Sequence, residues 1–421
     1  MGSSIKHVLF SLLTGLGSLL PAALATADAQ SLFEASQDRV FQVQVIDIAS
    51  GDKYSIGSGF LVSDEGQVAT NFHVVSSYVH EPAKYRLEYL GSDGASGAFS
   101  LSSIDVVHDL AILHIDKHSN DYLPLSAAEL RNGDRLYSMG NPLDLGMTII
   151  EGTYNGLVEN SRYRKILFSG SLNAGMSGGP ALNDKGEVIG INVSKGGEQI
   201  SFLVPVQHLA ALLEQDALPA GDRDFQTDIN TALLSDQQTF YQGILDQEIT
   251  LRSLGDLEIP DKLEASLNCW GHTLDDEDKV DAIHQHCRAE DQIYISRKLY
   301  TGDFTYDFEY IESEELNRFQ FYTALQERFT HRSFLNTNDE DEVTEFRCHT
   351  DVVDFDSGEW KVSNCFRAYR NYEDLYDGSM TMASVDHNQR AAVVKISATG
   401  ITLENARAVF RRVAESVRWK R

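Results

Sequence analysis

GMSGGP at residues 175–180, read with TNFHVV at 70–75 and DVVHDLAIL at 105–113, decides how this chain is understood. Three glycines around one serine cost conformational entropy unless the backbone must turn where side chains do not fit. Ser177 in the first run, His73 in the second and Asp109 in the third stand in the order His, Asp, Ser. They supply a hydroxyl, a base to take its proton and a carboxylate to fix the base's tautomer. Gly175 permits a sharp turn that aims its own N–H and that of Ser177 at one oxygen, the arrangement that holds a developing oxyanion. Each piece alone has a plain reading: a strand histidine before Val-Val, a turn aspartate before an apolar run, a Gly-Pro turn. All three in one order, each flanked by β-type sequence, read as one dispersed site for nucleophilic hydrolysis.

The surrounding sequence alternates in the manner of short strands at residues 40–46, 60–62, 68–70, 110–115, 166–168 and 188–193, punctuated by Gly, Asp and Asn. That spacing suggests a β-sandwich or barrel. Five segments lie collinearly with a known pattern: GSGFLVSDEGQVATNFHVV (57–75), MGNPLDLGMT (139–148), LNAGMSGGP (172–180), GEVIGIN (186–192) and SFLVP (201–205). Over residues 38–206 the chain resembles trypsin-like serine proteases, most closely the bacterial HtrA (DegP) branch.

The resemblance implies an all-β double six-stranded barrel with the site in the cleft between the barrels. It implies a serine endopeptidase in which Ser177 attacks the scissile carbonyl, His73 relays the proton and Asp109 holds the imidazole. Gly175 and Ser177 would form the oxyanion hole. Ser171, Asn192, Val193 and Ser194 would line the pocket for the residue before the cut. No Asp or Glu falls at the pocket base, so a small or medium apolar residue is expected there rather than Arg or Lys. Three positions depart from the pattern. Met176 stands where a polar Asn or Asp is usual and cannot tether the loop by a strong hydrogen bond. Ala174 replaces a common Pro, and Phe72 precedes the histidine where a small residue is usual, so it is expected to crowd the back of the imidazole.

Length and composition suit an exported enzyme of two domains. The chain has 421 residues, 42% of them hydrophobic, more than one ordinary core requires. Residues 1–29 read as a signal peptide: Lys6 and His7 precede the apolar run VLFSLLTGLGSLL, and ATA (25–27) or ADA (27–29) suits cleavage. The run is short for a bilayer span of about 20 residues, so removal is favoured over anchoring. A formal charge of −28 argues against nucleic acid and anionic membranes as partners. The expected partners are protein or peptide substrates, without stable membrane insertion after leader removal and with oligomerisation left open. The expected location is periplasmic or secreted. The acidic runs at 275–278 and 339–342 read as solvated loops, and DFDSG at 354–358 as a hairpin turn rather than a calcium loop. No metal and no cofactor is expected.

After a closing helix at 205–214 and a linker at 215–224, residues 225–421 read as a separate α+β domain of no recognised family. HtrA-like chains usually carry a peptide-binding PDZ domain here, but no glycine-flanked apolar carboxylate-binding loop is found. A capping box at SDQQ (235–238) is expected to open a helix. Strands follow near 304–310, with aromatics on one face, and near 343–348, 360–366, 380–385 and 391–396. A helix from about Thr402 carries Leu403, Ala406, Phe410, Val413 and Val417 on one face. All four cysteines lie in this region. In an oxidising compartment sequential disulfides, Cys269–Cys287 and Cys348–Cys365, are the economical pairing among three connectivities. A zinc site built from Cys269, His272, His284, His286 and Cys287 is the alternative. Two further readings stay open: a catalytically silent relative that binds peptides, and a C-terminal domain that recognises a partner.

Overall fold

The computed structural model describes residues 28–116, 121–216, 223–275, 279–330, 338–385 and 388–420. Most of the expected leader and of the expected linker lies outside these residues. Helix α1 (Ala29–Ser36) opens the described chain; the Asp28 side chain caps it by accepting from the Ser31 N–H at 2.8 Å.

The first sheet holds β1 (Val40–Asp47), β2 (Lys53–Leu61), β3 (Gln67–Thr70), β4 (Tyr85–Leu90), β5 (Ser96–Ala98), β6 (Ser100–Asp105) and β7 (Leu110–His114), in the order β5-β4-β1-β2-β3-β7-β6. Helix α2 (Phe72–His80) follows β3 directly. Seven strands appear where six are expected, because Phe99 breaks one strand in two. It turns into the core, and its N–H donates to the Leu87 carbonyl. The halves pair with opposite ends of the sheet, β5 with β4 and β6 with β7, so the sheet curls back onto a single chain segment.

The second sheet is a closed six-stranded barrel of β8 (Arg135–Gly140), β9 (Thr148–Leu157), β10 (Ile166–Phe168), β11 (Pro180–Leu182), β12 (Val188–Gly197) and β13 (Ile200–Pro205). Leu136, Ile166, Phe168, Leu172, Met176 and Leu203 fill it. A further cluster, including Phe60, Leu110, Ile112, Met139 and Ile191, joins the two sheets. Helix α3 (Val206–Asp216) closes this half.

The second half begins with helix α4 (Phe225–Asp246), capped by Asp224, which accepts from the Gln226 N–H. The expected capping box at 235–238 therefore lies inside a helix that starts ten residues earlier. Ile229, Leu233, Phe240 and Ile244 are buried along α4, and one amphipathic stripe carries the helix straight through the serine. Next come β14 (Leu251–Leu254), β15 (Leu257–Pro260), β16 (Asn268–Asp275), β17 (Asp281–Arg288), β18 (Ile293–Ser296), β19 (Leu299–Thr301) and β20 (Phe304–Glu312). After helix α5 (Arg318–Thr330) follow β21 (Arg347–Phe355), β22 (Gly358–Ala368), β23 (Tyr376–Ser384) and β24 (Arg390–Ile401). Helix α6 (Leu403–Ser416) and β25 (Arg418–Trp419) end the described chain.

Strands β16-β17-β20-β24-β23-β22-β21 form one antiparallel sheet. Phe304, Tyr306, Phe308 and Tyr310 of β20 share a core with α4 and α6, while Ile311, Ala391 and Val393 pack against α5 on the opposite face. The period of two along β20 and β24 thus serves two helical layers. Strands β14, β15 and β25 make a small sheet, and β18 and β19 a hairpin of their own.

This α+β region is not packed as a separate body. Phe72, Val106 and Tyr163 of the first half share one buried cluster with Ile229, Leu233, Ile293, Ile295, Leu299, Tyr369 and Leu375 of the second. Arg162 adds a shielded ion pair to Asp236 of α4 at 2.7 Å.

Candidate active site

Helix α2 begins at Phe72, so His73 sits in its first turn, beside the start of β7. Asp109 adopts a left-handed backbone, φ 57°, which short polar residues tolerate better than most. From there its carboxylate takes two bonds from one residue: the His73 N–H at 2.8 Å and the His73 ring Nδ1 at 2.6 Å. Asn71 Nδ2 donates to the Asp109 carbonyl at 2.7 Å and pins the turn. Burial disfavours the charged imidazole, but the Asp109 charge and hydrogen bond outweigh it and hold the His73 pKa above its ordinary value.

The Ser177 loop is held from below. Its carbonyl accepts from the Ser58 N–H at 2.7 Å, and Ser58 Oγ donates to the Gly175 carbonyl at 2.7 Å. Gly175 has φ 93°, and a Cβ there would collide with the Asn141 carbonyl. Gly178 has φ 84° and faces the Ser58 carbonyl equally closely. Both glycines are thus demanded by backbone shape as well as by space.

The Ala174 carbonyl accepts from the Leu143 N–H at 2.8 Å. Since the peptide is planar and trans, that bond turns the Gly175 N–H to the side opposite Leu143. Among the described residues neither the Gly175 nor the Ser177 N–H donates to a protein acceptor. Leu143 and Asp144 are both left-handed, φ 53° and 61°, and the loop is braced by Lys53 and Gln42 on Asp144, each at 2.8 Å.

His73, Asp109, Gly175, Ser177 and Val193 line one cleft of about 510 Å³. The Ser177 hydroxyl donates to the Val193 carbonyl at 3.3 Å rather than to the His73 ring. Asn192 does not reach the cleft: it is fully buried, and its Nδ2 donates to the carbonyls of Met139 and Met176 at 3.0 and 3.2 Å. Ser171 is not among the lining residues. Ser194 pairs with Phe202 in β12, and its side chain lies outside the described atoms.

The departures at Met176 and Phe72 acquire physical roles. Met176 is fully buried in the second barrel's core and tethers the loop by packing where a hydrogen bond is usual. Phe72, also fully buried, packs in the cluster shared with the second half, its ring edge-on to Tyr294 at 6.5 Å.

Four residues of the β18–β19 hairpin also line the cleft: Ile293, Tyr294, Arg297 and Tyr300. The Tyr294 ring stands edge-on to His73 at 6.0 Å, and its hydroxyl meets Ser76 Oγ at 3.2 Å. The sequence carries no sign of this, since more than two hundred residues separate Tyr294 from His73.

Away from the site, Cys269 is bonded to Cys287 and Cys348 to Cys365. Each pair lies directly across an antiparallel ladder. The zinc alternative loses its thiolates to the first bridge. Among the described residues no group of three or more His, Cys, Asp or Glu is placed to hold a metal.

Residues 57–191, which carry the His-Asp pair and the glycine-lined serine, match the trypsin-like peptidase domain family. The chain is 31% identical over 196 residues to the mitochondrial serine protease HTRA2 of Drosophila erecta, covering 43% of this chain and 46% of that one. The HTRA2 of Drosophila willistoni matches at the same identity, with 44% of its length covered. The chain thus spans about half the length of the curated relatives it matches. A crystal structure of the serine endoprotease from Yersinia pestis superimposes with a TM-score of 0.40 and 26% identity, covering 45% of this chain and 66% of that one.

Proposed function

We propose that the chain is an exported serine endopeptidase that cleaves proteins or peptides through an acyl-enzyme. The observation that carries this is one cleft holding an Asp109-bound imidazole, a serine on a glycine turn, and two N–H groups without protein acceptors. Ser177 attacks the scissile carbonyl as His73 takes its proton; His73 then returns it to the leaving amine, and Asp109 stabilises the imidazolium. The N–H groups of Gly175 and Ser177 receive the oxyanion, worth about 3 kcal/mol per donor in comparable sites. Water repeats the sequence to release the acid. A small or medium apolar residue before the cut fits Val193 in the cleft wall. Export is supported by the two disulfides.

A second reading, a silent peptide-binding relative, is favoured by one observation: the Ser177 hydroxyl is engaged by the Val193 carbonyl. In the peptidase reading that bond is exchanged for His73 when substrate arrives. Labelling of the disulfide-intact chain with a fluorophosphonate probe, with Ser177→Ala as control, separates the two. Labelling of the parent alone supports the enzyme. A blank result with added peptide substrates and heat supports the silent binder.

A further inference from the structure

We propose that the β18–β19 hairpin supplies a cationic, aromatic-walled subsite of the cleft in which Arg297 selects a carboxylate of the bound peptide. The inference rests on the reading of this cleft as the peptide-binding site. Tyr294, Arg297 and Tyr300 share the cleft with His73, Gly175 and Ser177, although they belong to the half that carries no part of the peptidase motif.

The hairpin is a fixed wall. Ile293, Ile295 and Leu299 are buried in the cluster shared by the two halves. The His80 ring Nε2 bonds the Ile295 carbonyl at 2.9 Å, and Tyr294 meets Ser76, which fastens the hairpin to α2. At its base Asp291 takes Ser161 Oγ at 2.6 Å, the Arg162 N–H at 2.8 Å and Lys165 Nζ at 2.9 Å, which fastens it to the second barrel. The hairpin therefore bridges α2 and the second barrel along the cleft, and a group it carries is held ready before any peptide binds.

Arg297 stands at the hairpin turn, exposed, with its guanidinium 4.5 Å from the Tyr54 ring of β2. Tyr54 is in turn packed against Tyr85, 4.6 Å between ring centres. Stacking fixes the guanidinium plane and leaves its N–H edge for a planar anion, the geometry that recognises carboxylates in a two-point fork.

Its lack of a partner is informative. Nearby cations are matched with acids: Lys165 with Asp291, Arg162 with Asp236, Lys53 with Asp144 and Lys298 with Asp341. Among the described residues no carboxylate pairs with Arg297, in a chain whose formal charge is −28. An acid is what the site lacks, and the cleft is where a peptide would bring one. Arg297 lines the same cleft as His73 and Ser177, so the selected carboxylate belongs to the peptide held in that cleft.

The test uses the full chain as Ser177→Ala, disulfides intact, and fluorescein-labelled octapeptide pools with one position fixed as Glu or Gln. One set of pools ends in an amide and one in a free acid, which separates a side-chain carboxylate from a terminal one. We expect at one position, or at the free terminus, binding about tenfold tighter with the carboxylate than without it, the strength of a charge-assisted hydrogen bond. Arg297→Ala erases the difference, Arg297→Glu reverses it in favour of Gln, and salt weakens it. No discrimination at any position or terminus, or discrimination unchanged in Arg297→Ala, overturns the proposal. Fluorophosphonate labelling of the unsubstituted chain runs alongside. Blank labelling with Arg297-dependent binding sinks the peptidase reading and leaves the subsite standing, while labelling without discrimination sinks the subsite alone.

Discussion

His73 acts as a base only when neutral, and Asp109 sets how far the pH must rise for that. Because Asp109 outweighs burial and raises the pKa, probe acylation is expected to climb with pH along a limb lying above the range of a free imidazole. Asp109→Asn should move that limb to lower pH and reduce kcat/KM by about 10⁴-fold, since the amide no longer enforces the tautomer. A pH series of acylation rates checks both; an unmoved limb would show that Asp109 does not govern the base. Phe72 belongs to this scale as well. Its bulk beside the histidine is plain in the sequence, but its direction is not, and it is spent on the interface rather than on the imidazole. Phe72→Ala should cost about 3–5 kcal/mol, the usual loss for a buried aromatic, read from urea unfolding of the full chain.

Among the elements, the motif-bearing strands and the aromatic face of β20 were legible because period-two alternation survives in the letters. The start of α4 was not: Ser235 looks like a cap, yet tertiary burial of Ile229 and Leu233 ahead of it decides the helix boundary. The hairpin of β21 and β22 turns where the sequence expects, with Phe355 facing Gly358 across a two-residue turn, but its first strand starts at Arg347, where the strand expected near 343–348 ends. Cys348–Cys365 closes it over a sequence separation of 17 residues. Replacing both cysteines by serine should lower stability by about 3 kcal/mol on the loop-entropy account. Non-reducing urea unfolding measures it, and a loss near zero would mean that the paired strands alone already restrain the unfolded chain.

Over the whole molecule, the shared cluster of Phe72, Val106 and Tyr163 with Ile229, Ile293 and Leu375 couples the two halves. Calorimetry of the full chain should therefore show one unfolding transition, where independent domains would show two. A chain ending at Asp216 should expose that cluster, bind a hydrophobic dye and unfold at lower urea. If it instead matched the full chain in both respects, the interface would contribute little. By itself the sequence determined the peptidase motifs, their order and the β character around them, because those signals lie in adjacent residues or in short periods; the sequential cysteine pairing was one of three until the ladders set Cys269 beside Cys287 and Cys348 beside Cys365. Only the tertiary structure decided that Asn192 braces the nucleophile loop instead of lining the cleft, that Met176 holds that loop by packing, and that a distant hairpin walls the site. Each of these depends on which way a side chain points and on contacts between residues far apart in the chain, and neither leaves a periodic trace in the sequence.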